Sequence, residues 1–417
     1  MPSSLSYTPP SRFDDDSDPS PVRRRHVLYI PGYDPDAKAR SRSLFVRELI
    51  RYGRRFGLVQ RDVTRPEELP DVPGSRWHVT AARDDWTTRT TYDVLLWDDL
   101  VQRDFRRPVA FIIARALATA LHALTSGLTL RLFRMNWIFA SVTIYPVVMV
   151  LLLGLLAAGA GLIALLAAGA IGLHPAWGAL AGLVLAAGVV TTARGFFGRW
   201  YVWHLLRDWL FNWDHGRGAR SDYWARVERF AEHLVSIART SDADEILVVG
   251  HSSGAGMAVE IVGRALERDP RLGRHGPDIA VATLGTSHPV SAMNNGADAI
   301  RGLLRGVMTE ADVLWVEFQA PQDWLNAAGF NPVRMLPLGL SEAECHNPVI
   351  RSALFRDVTS QATYRAILKS PFRLHFQFMM ANEKPGAYDY VMMLLGPMRL
   401  SARVRDPDAA ERLSAAA

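Results

Sequence analysis

The chain has 417 residues, 49% of them hydrophobic and 21% charged, which excludes an intrinsically disordered protein and fits one large domain or two ordinary ones. Its single cysteine, Cys345, excludes an intramolecular disulfide framework and suits a reducing compartment. The net charge of +5 comes almost wholly from arginine. No compact basic patch with interleaved aromatics accompanies it, so the expected anionic partner is lipid headgroups and not nucleic acid.

Residues 1–22 are rich in Ser, Pro and Asp and read as a disordered N-terminal tail; no cleavable signal peptide is expected. "HVLYIPGYD" (26–34) is a strand ending in a Pro-Gly turn, and "LFVRELIRYGRRFGL" (44–58) has helical period. "WHVTAARD" (77–84) and "YDVLLWDDL" (92–100) read as strands. The apolar segment 108–134 carries Arg115 and Arg131 and reads as an amphipathic helix in the membrane plane or a cover over a site.

Met135 to Ala193 contains no Asp, Glu, Lys or Arg. A spanning helix needs roughly 20 residues, so the expected element over 135–195 is a transmembrane hairpin. Its helices fall near 138–170 and 176–195, with a turn at "GLHPAWG" where Pro175 starts the second. Arg131 and Arg134 precede the hairpin, and Arg194, Arg199 and Arg207 follow it. The turn carries no Arg or Lys. The positive-inside rule then places both long ends in the cytoplasm of a protein of the inner or plasma membrane. Within 196–219, Trp200, Tyr201, Trp203, Trp209, Phe211 and Trp213 suggest a helix lying in the headgroup layer.

Downstream, "YWARVERFAEHLVSIARTS" (223–241) is an amphipathic helix, and 246–249, 278–289 and 311–321 read as strands. Residues 402–417 read as a flexible tail. Strands alternating with helices imply an α/β domain: a mostly parallel sheet with helices on both faces. Its two parts, 23–107 and 220–401, would be interrupted by the hairpin.

In "ILVVGHSSGAGMAVEIVG" (246–263) a strand turns abruptly into a small-residue helix through G-x-S-x-G. Gly250 and Gly254 would let strand and helix approach, and Ser252 would occupy a strained corner with its hydroxyl exposed. The amide of Ser253, at the helix N-terminus, would face a developing oxyanion. The competing reading is a Gly/Ser-rich turn of a nucleotide-binding sheet.

With this elbow, "YIPGYD" after an early strand and "TLGTSHP" after the next one, the chain resembles the α/β-hydrolase superfamily in its serine lipase and esterase branch. The resemblance covers roughly residues 25–100 and 220–400, not the hairpin, and Ser287 stands where proline is usual. It implies a base and an acid late in the chain. His375 is favoured as base over His346, because it comes late among apolar residues. His288 matches a structural histidine of the motif. Asp323, just past the strand ending "WVEFQAP", is favoured as acid over Asp312 and Glu317. The oxyanion hole would pair the Ser253 amide with one from Gly32 or Tyr33.

The expected activity is membrane-anchored hydrolysis of carboxylic esters, lipid-like in character, through an acyl-enzyme. An acyltransferase with the same triad and an inactive membrane interaction protein are the alternatives. No P-loop, dinucleotide fingerprint or Cys/His cluster is present, so no cofactor and no metal is expected. Expected partners are the lipid bilayer and a small ester; the sequence leaves oligomeric state open.

Overall fold

A computed structural model describes residues 5–10 and 20–415 of the chain. It forms two bodies. One combines the residues up to Phe105 with those from Asp214 onward; the other is Arg106–Trp213.

The first body is built on a nine-stranded mixed sheet. The strands are β1 (Arg24–Ile30), β2 (Gln60–Val63), β3 (Glu67–Glu68), β4 (Gly74–Ala82), β5 (Thr87–Leu95), β6 (Glu245–His251), β7 (Asp278–Leu284), β8 (Val313–Gln319) and β9 (Val349–Ser352). Their order is β2-β4-β5-β1-β6-β7-β8-β9, with β3 paired to β4. From β5 to β9 every pairing is parallel; β2, β3 and β5 lie antiparallel to β4. Central strands buried on both faces read as unbroken apolar runs, as "ILVV" does in β6. Alternate residues Val27, Tyr29, Leu247, Val249, Ala282 and Val316 join one core with helix α1 (Ala37–Phe56) and the segments after Phe355.

β1 precedes the second body in sequence and β6 follows it, yet the two strands are hydrogen-bonded neighbours from Arg25↔Glu245 to Ile30↔Gly250. The chain therefore leaves one sheet and returns to it, as the interrupted-domain reading expects. β2, β3 and β9 were not foreseen, because "QRDV" and "EE" carry no apolar alternation and β9 is only four residues long. The strand expected over 92–100 ends at Leu95, and helix α2 (Asp98–Phe105) begins three residues later.

Both tails need correction where they are described; residues 1–4, 11–19 and 416–417 lie outside the described residues. Tyr7 pairs antiparallel with Ile350, its N–H donating to the Ile350 carbonyl at 3.1 Å and its carbonyl accepting in return at 2.8 Å. This segment satisfies groups on edge strand β9 that would otherwise stay open. Val22 is fully buried. At the other end, Leu400–Arg405 and Pro407–Ala415 are helices that bury Val404 and Ala410. Their apolar residues fall at helical spacing and give the tail a face to dock.

The second body consists of α3 (Val109–Thr125), α4 (Leu128–Met135), α5 (Trp137–Ala170), α6 (Pro175–Arg199) and most of α7 (Val202–Gly216). The 108–134 segment is thus two helices broken at Gly127. Helices α5 and α6, of 34 and 25 residues with mean hydropathy 2.7 and 1.7, are long and apolar enough to cross a membrane. His174 caps α6, its Nδ1 accepting from the Ala176 N–H. The two helices touch through small residues: a methyl on Gly182 would come within 2.8 Å of the Gly161 carbonyl oxygen. The aromatic segment divides. Trp200 and Tyr201 are exposed, whereas Trp209, Phe211 and Trp213 are buried in protein and so cannot sit among headgroups.

Candidate active site

β6 ends at His251 and the helix Ser253–Arg268 starts immediately after Ser252, which stands at the corner between them. Ser252 has φ 58° and ψ −126°, a region that costs a non-glycine residue of order 1–3 kcal/mol. Its N–H donates to the Leu284 carbonyl at 2.9 Å, tying the corner to the end of β7. The flanking glycines have separate reasons to be glycine. A methyl on Gly250 would lie 2.6 Å from Ala255 Cα, and one on Gly254 would overlap the Ile30 and Pro31 carbonyl oxygens at the end of β1. Gly32 also brings its backbone against the serine, since a methyl there would be 3.0 Å from Ser252 Cβ.

Two late residues meet at the same end of the sheet. Asp323 lies in the loop after β8, and His375 in the short helix Pro371–Phe376. Both are buried, and His375 Nδ1 donates to Asp323 Oδ2 at 2.6 Å. The second carboxylate oxygen accepts the Leu325 N–H at 3.1 Å, which fixes the carboxylate's orientation. A proton on Nδ1 leaves Nε2 as an acceptor, and that atom is buried with no hydrogen-bond partner. The imidazole lies over Gly285, where a methyl would come within 3.1 Å of its Cε1. Gly285 directly follows Leu284, the residue that holds the Ser252 amide. No hydrogen bond joins Ser252 Oγ to His375 Nε2 among the described residues, an open arrangement common before substrate binds.

The competing residues go elsewhere. His346 donates its N–H to the Met308 carbonyl, near the start of β8 and thus at the opposite end of the strands from Ser252. Asp312 also precedes β8 and pairs with Arg274. Glu317 is buried within β8 and accepts from the Thr283 hydroxyl. Tyr33 stays beside the corner in sequence, but its hydroxyl donates to Asp104 at 3.1 Å, so only its backbone remains a candidate oxyanion donor. Asp34 turns aside to accept from the Asp36 N–H and to pair with Arg40. Ser253 Oγ lies 3.2 Å from Ser287 Oγ.

Two supporting groups escaped the sequence reading. His251, the residue before the corner serine, is buried with its ring 4.6 Å from that of His375. Its Nε2 lies 3.2 Å from the His375 carbonyl oxygen, a contact that requires the proton on Nε2. Burial, then the neighbouring His375, push its basicity well down, so it is a neutral brace. Its place in the elbow motif was the available signal. The other group centres on Glu260, fully buried in helix Ser253–Arg268. It accepts from His215 Nε2 at 2.8 Å and the Tyr223 hydroxyl at 2.7 Å, with His288 Nε2 at 3.3 Å. Burial raises this carboxyl's pKa, but His215 and His288 outweigh it and hold it at about 2. The cluster holds the 286–288 turn beside Ser253; of its members only His288 carried a sequence signal, and Glu260, His215 and Tyr223 had none. Among the described residues no group of three or more His, Cys, Asp or Glu is placed to hold a metal ion.

Glu317 gives a prediction on stability. Burial pushes its carboxyl up to about 8, against a smaller opposing effect of the Thr283 hydroxyl. The folded chain therefore keeps a proton that the unfolded chain releases above about pH 4.5, and stability falls as pH rises from there to about 8. Glu317→Gln keeps the shape and cannot ionise. The variant should match the parent at pH 4.5 and exceed it by on the order of 4 kcal/mol at pH 8. Thermal midpoints at the two pH values check this; an equal difference at both would refute it.

No family model, curated protein or solved structure matches this chain.

Proposed function

We propose that the chain is a membrane-anchored serine hydrolase of the α/β-hydrolase type, cleaving carboxylic esters of lipid-like character. The observation that carries this reading is the buried His375–Asp323 pair, 2.6 Å apart, whose unpartnered Nε2 sits at the sheet end occupied by the strained Ser252 corner. In this reading Ser252 Oγ attacks the ester carbonyl while His375 Nε2 takes its proton. Asp323 holds Nδ1–H and stabilises the imidazolium. The Ser253 amide, with one from Gly32 or Tyr33, receives the oxyanion. The protonated His375 then gives its proton to the departing alcohol, and water releases the acyl group by the same route.

The lipid-like substrate rests on the two apolar helices. The β1–β6 pairing across the inserted body supports an even number of crossings, hence both ends of the hairpin on one side of the membrane. The flanking arginines favour the cytoplasmic side.

A fluorophosphonate probe tests the proposal on the purified full chain. It should attach covalently once per chain, and mass spectrometry should place it on Ser252. Labelling at Ser253, or none on folded protein, would sink the reading.

A further inference from the structure

Helix α1 carries Lys38, Arg40, Arg42, Arg47, Arg51, Arg54 and Arg55 against one acidic residue, Glu48. Its first half is charge-balanced by neighbours. Lys38 pairs with Glu68, and Arg40 with Asp34 and Asp36. Its last two turns are not. Residues 47, 50, 51 and 54 fall on one helix face, and with Arg55 they line a single open cleft. All five are exposed.

The acidic groups within reach do not neutralise this face. Glu48 is buried, accepts from Arg47 at 3.0 Å and Arg51 at 3.1 Å, and also accepts the Ala381 N–H. Glu383 is 4.0 Å from Arg55 and takes its hydrogen bonds from Ser360 and Thr363. Arg54 has no ion pair among the described residues. Four guanidinium groups thus share two carboxylates, and Ile50 stands exposed in their midst.

We propose that this face of α1 docks on the anionic phosphate headgroups of the bilayer that holds helices α5 and α6. The inference rests on the membrane reading, not on the hydrolase chemistry. Three features select a bilayer over a soluble anion. A hairpin in the same chain keeps this body near the membrane, so even weak contacts act at high effective concentration. An apolar side chain ringed by guanidinium groups suits the boundary between headgroups and acyl chains, where arginine stems are also accommodated. The cleft holds no aromatic residue on which a nucleic-acid base could stack. Guanidinium groups bind phosphate through paired N–H donors, which gives the contact its chemistry.

The test uses the full chain with Cys345→Ser and a fluorophore on Ile50→Cys, reconstituted into vesicles of phosphatidylcholine alone or mixed with phosphatidylglycerol. The chain should float with both, because the hairpin carries it. In the anionic vesicles the fluorophore should be shielded from an aqueous quencher and reached by a shallow spin-labelled lipid; in the neutral vesicles it should be open to water. About 1 M salt, where the Debye length is about 3 Å, should remove the shielding. Each arginine near such a surface contributes about a fivefold change in partition, so Arg54→Glu, a change of two charges, should lower the equilibrium constant for docking about 25-fold. Arg54 has no ion partner to strand, and an unchanged thermal midpoint will show that the fold survives. Equal quencher access in both lipids, or shielding indifferent to Arg54→Glu, would overturn the proposal. So would full release by inorganic phosphate at constant ionic strength, which would mark a soluble-anion site. A chain that floats with neither vesicle removes the tether and the docking together, whereas fluorophosphonate labelling reports on the hydrolase separately.

Discussion

Replacing Ser252 by alanine is expected to abolish hydrolysis of a short p-nitrophenyl ester, with a loss in turnover on the order of 10⁶. The substitution removes only Oγ, which has no hydrogen-bond partner to leave behind among the described residues. The corner keeps its backbone bond to Leu284, and alanine tolerates φ 58° no worse than serine does, since both carry a Cβ. The thermal midpoint should therefore stay where it is. Ser253→Ala is the informative contrast. It loses the contact between the Ser253 and Ser287 hydroxyls but keeps the amide that would face the oxyanion. Its activity should stay within about tenfold of the parent, the scale of one neutral hydrogen bond. A dead Ser253→Ala beside an active Ser252→Ala would mean that the nucleophile has been placed in the wrong register.

His375→Ala should lose as much activity as Ser252→Ala, because a serine with no base is nearly as inert as no serine. The double variant should be no worse than either single one, since the two groups act as a unit. Asp323→Asn should lose about 10⁴. The amide keeps the space but can orient the imidazole in the wrong tautomer, and it does not stabilise the imidazolium. Steady-state rates on a soluble ester read all four enzymes, and the His375–Asp323 contact of 2.6 Å makes the ordering specific to this pair. His346→Ala should be close to neutral, because that residue lies at the amino end of β8. An inactive His346→Ala beside a fully active His375→Ala would transfer the role and refute the assignment.

The features legible in the sequence are those with local causes. The hairpin needs only a long run without ionised side chains, and its observed ends, Trp137–Ala170 and Pro175–Arg199, lie within a few residues of the expected ones. The elbow needs only glycines two residues either side of a serine where a strand period gives way to a helix period. That spacing alone puts Ser252 at a corner. The apolar runs of β1, β6, β7 and β8 implied buried parallel strands because such strands cannot alternate. By contrast, β2 and β3 lie at the outer, antiparallel part of the sheet, where polar sequences such as "QRDV" hold their place through partner strands. The docking of Tyr7 on Ile350 could not be read from a Ser/Pro/Asp-rich tail either, since the edge it meets is built from the far end of the chain.

The sequence by itself determined an α/β sheet interrupted by an apolar hairpin and a serine at a strand-to-helix corner, because periodicity, glycine spacing and the exclusion of charge act over a few residues. It favoured His375 over His346 and Asp323 over Asp312 on chain order and neighbouring sequence, with no distance between any of them. Only the tertiary structure brought His375 and Asp323 into contact beyond the carboxyl ends of the strands and set His346 and Asp312 at their amino ends. The same packing stacked His251 on His375 and buried Glu260 among His215, Tyr223 and His288. Such contacts join residues distant in the chain, and their energy comes from burial and geometry that no local pattern encodes.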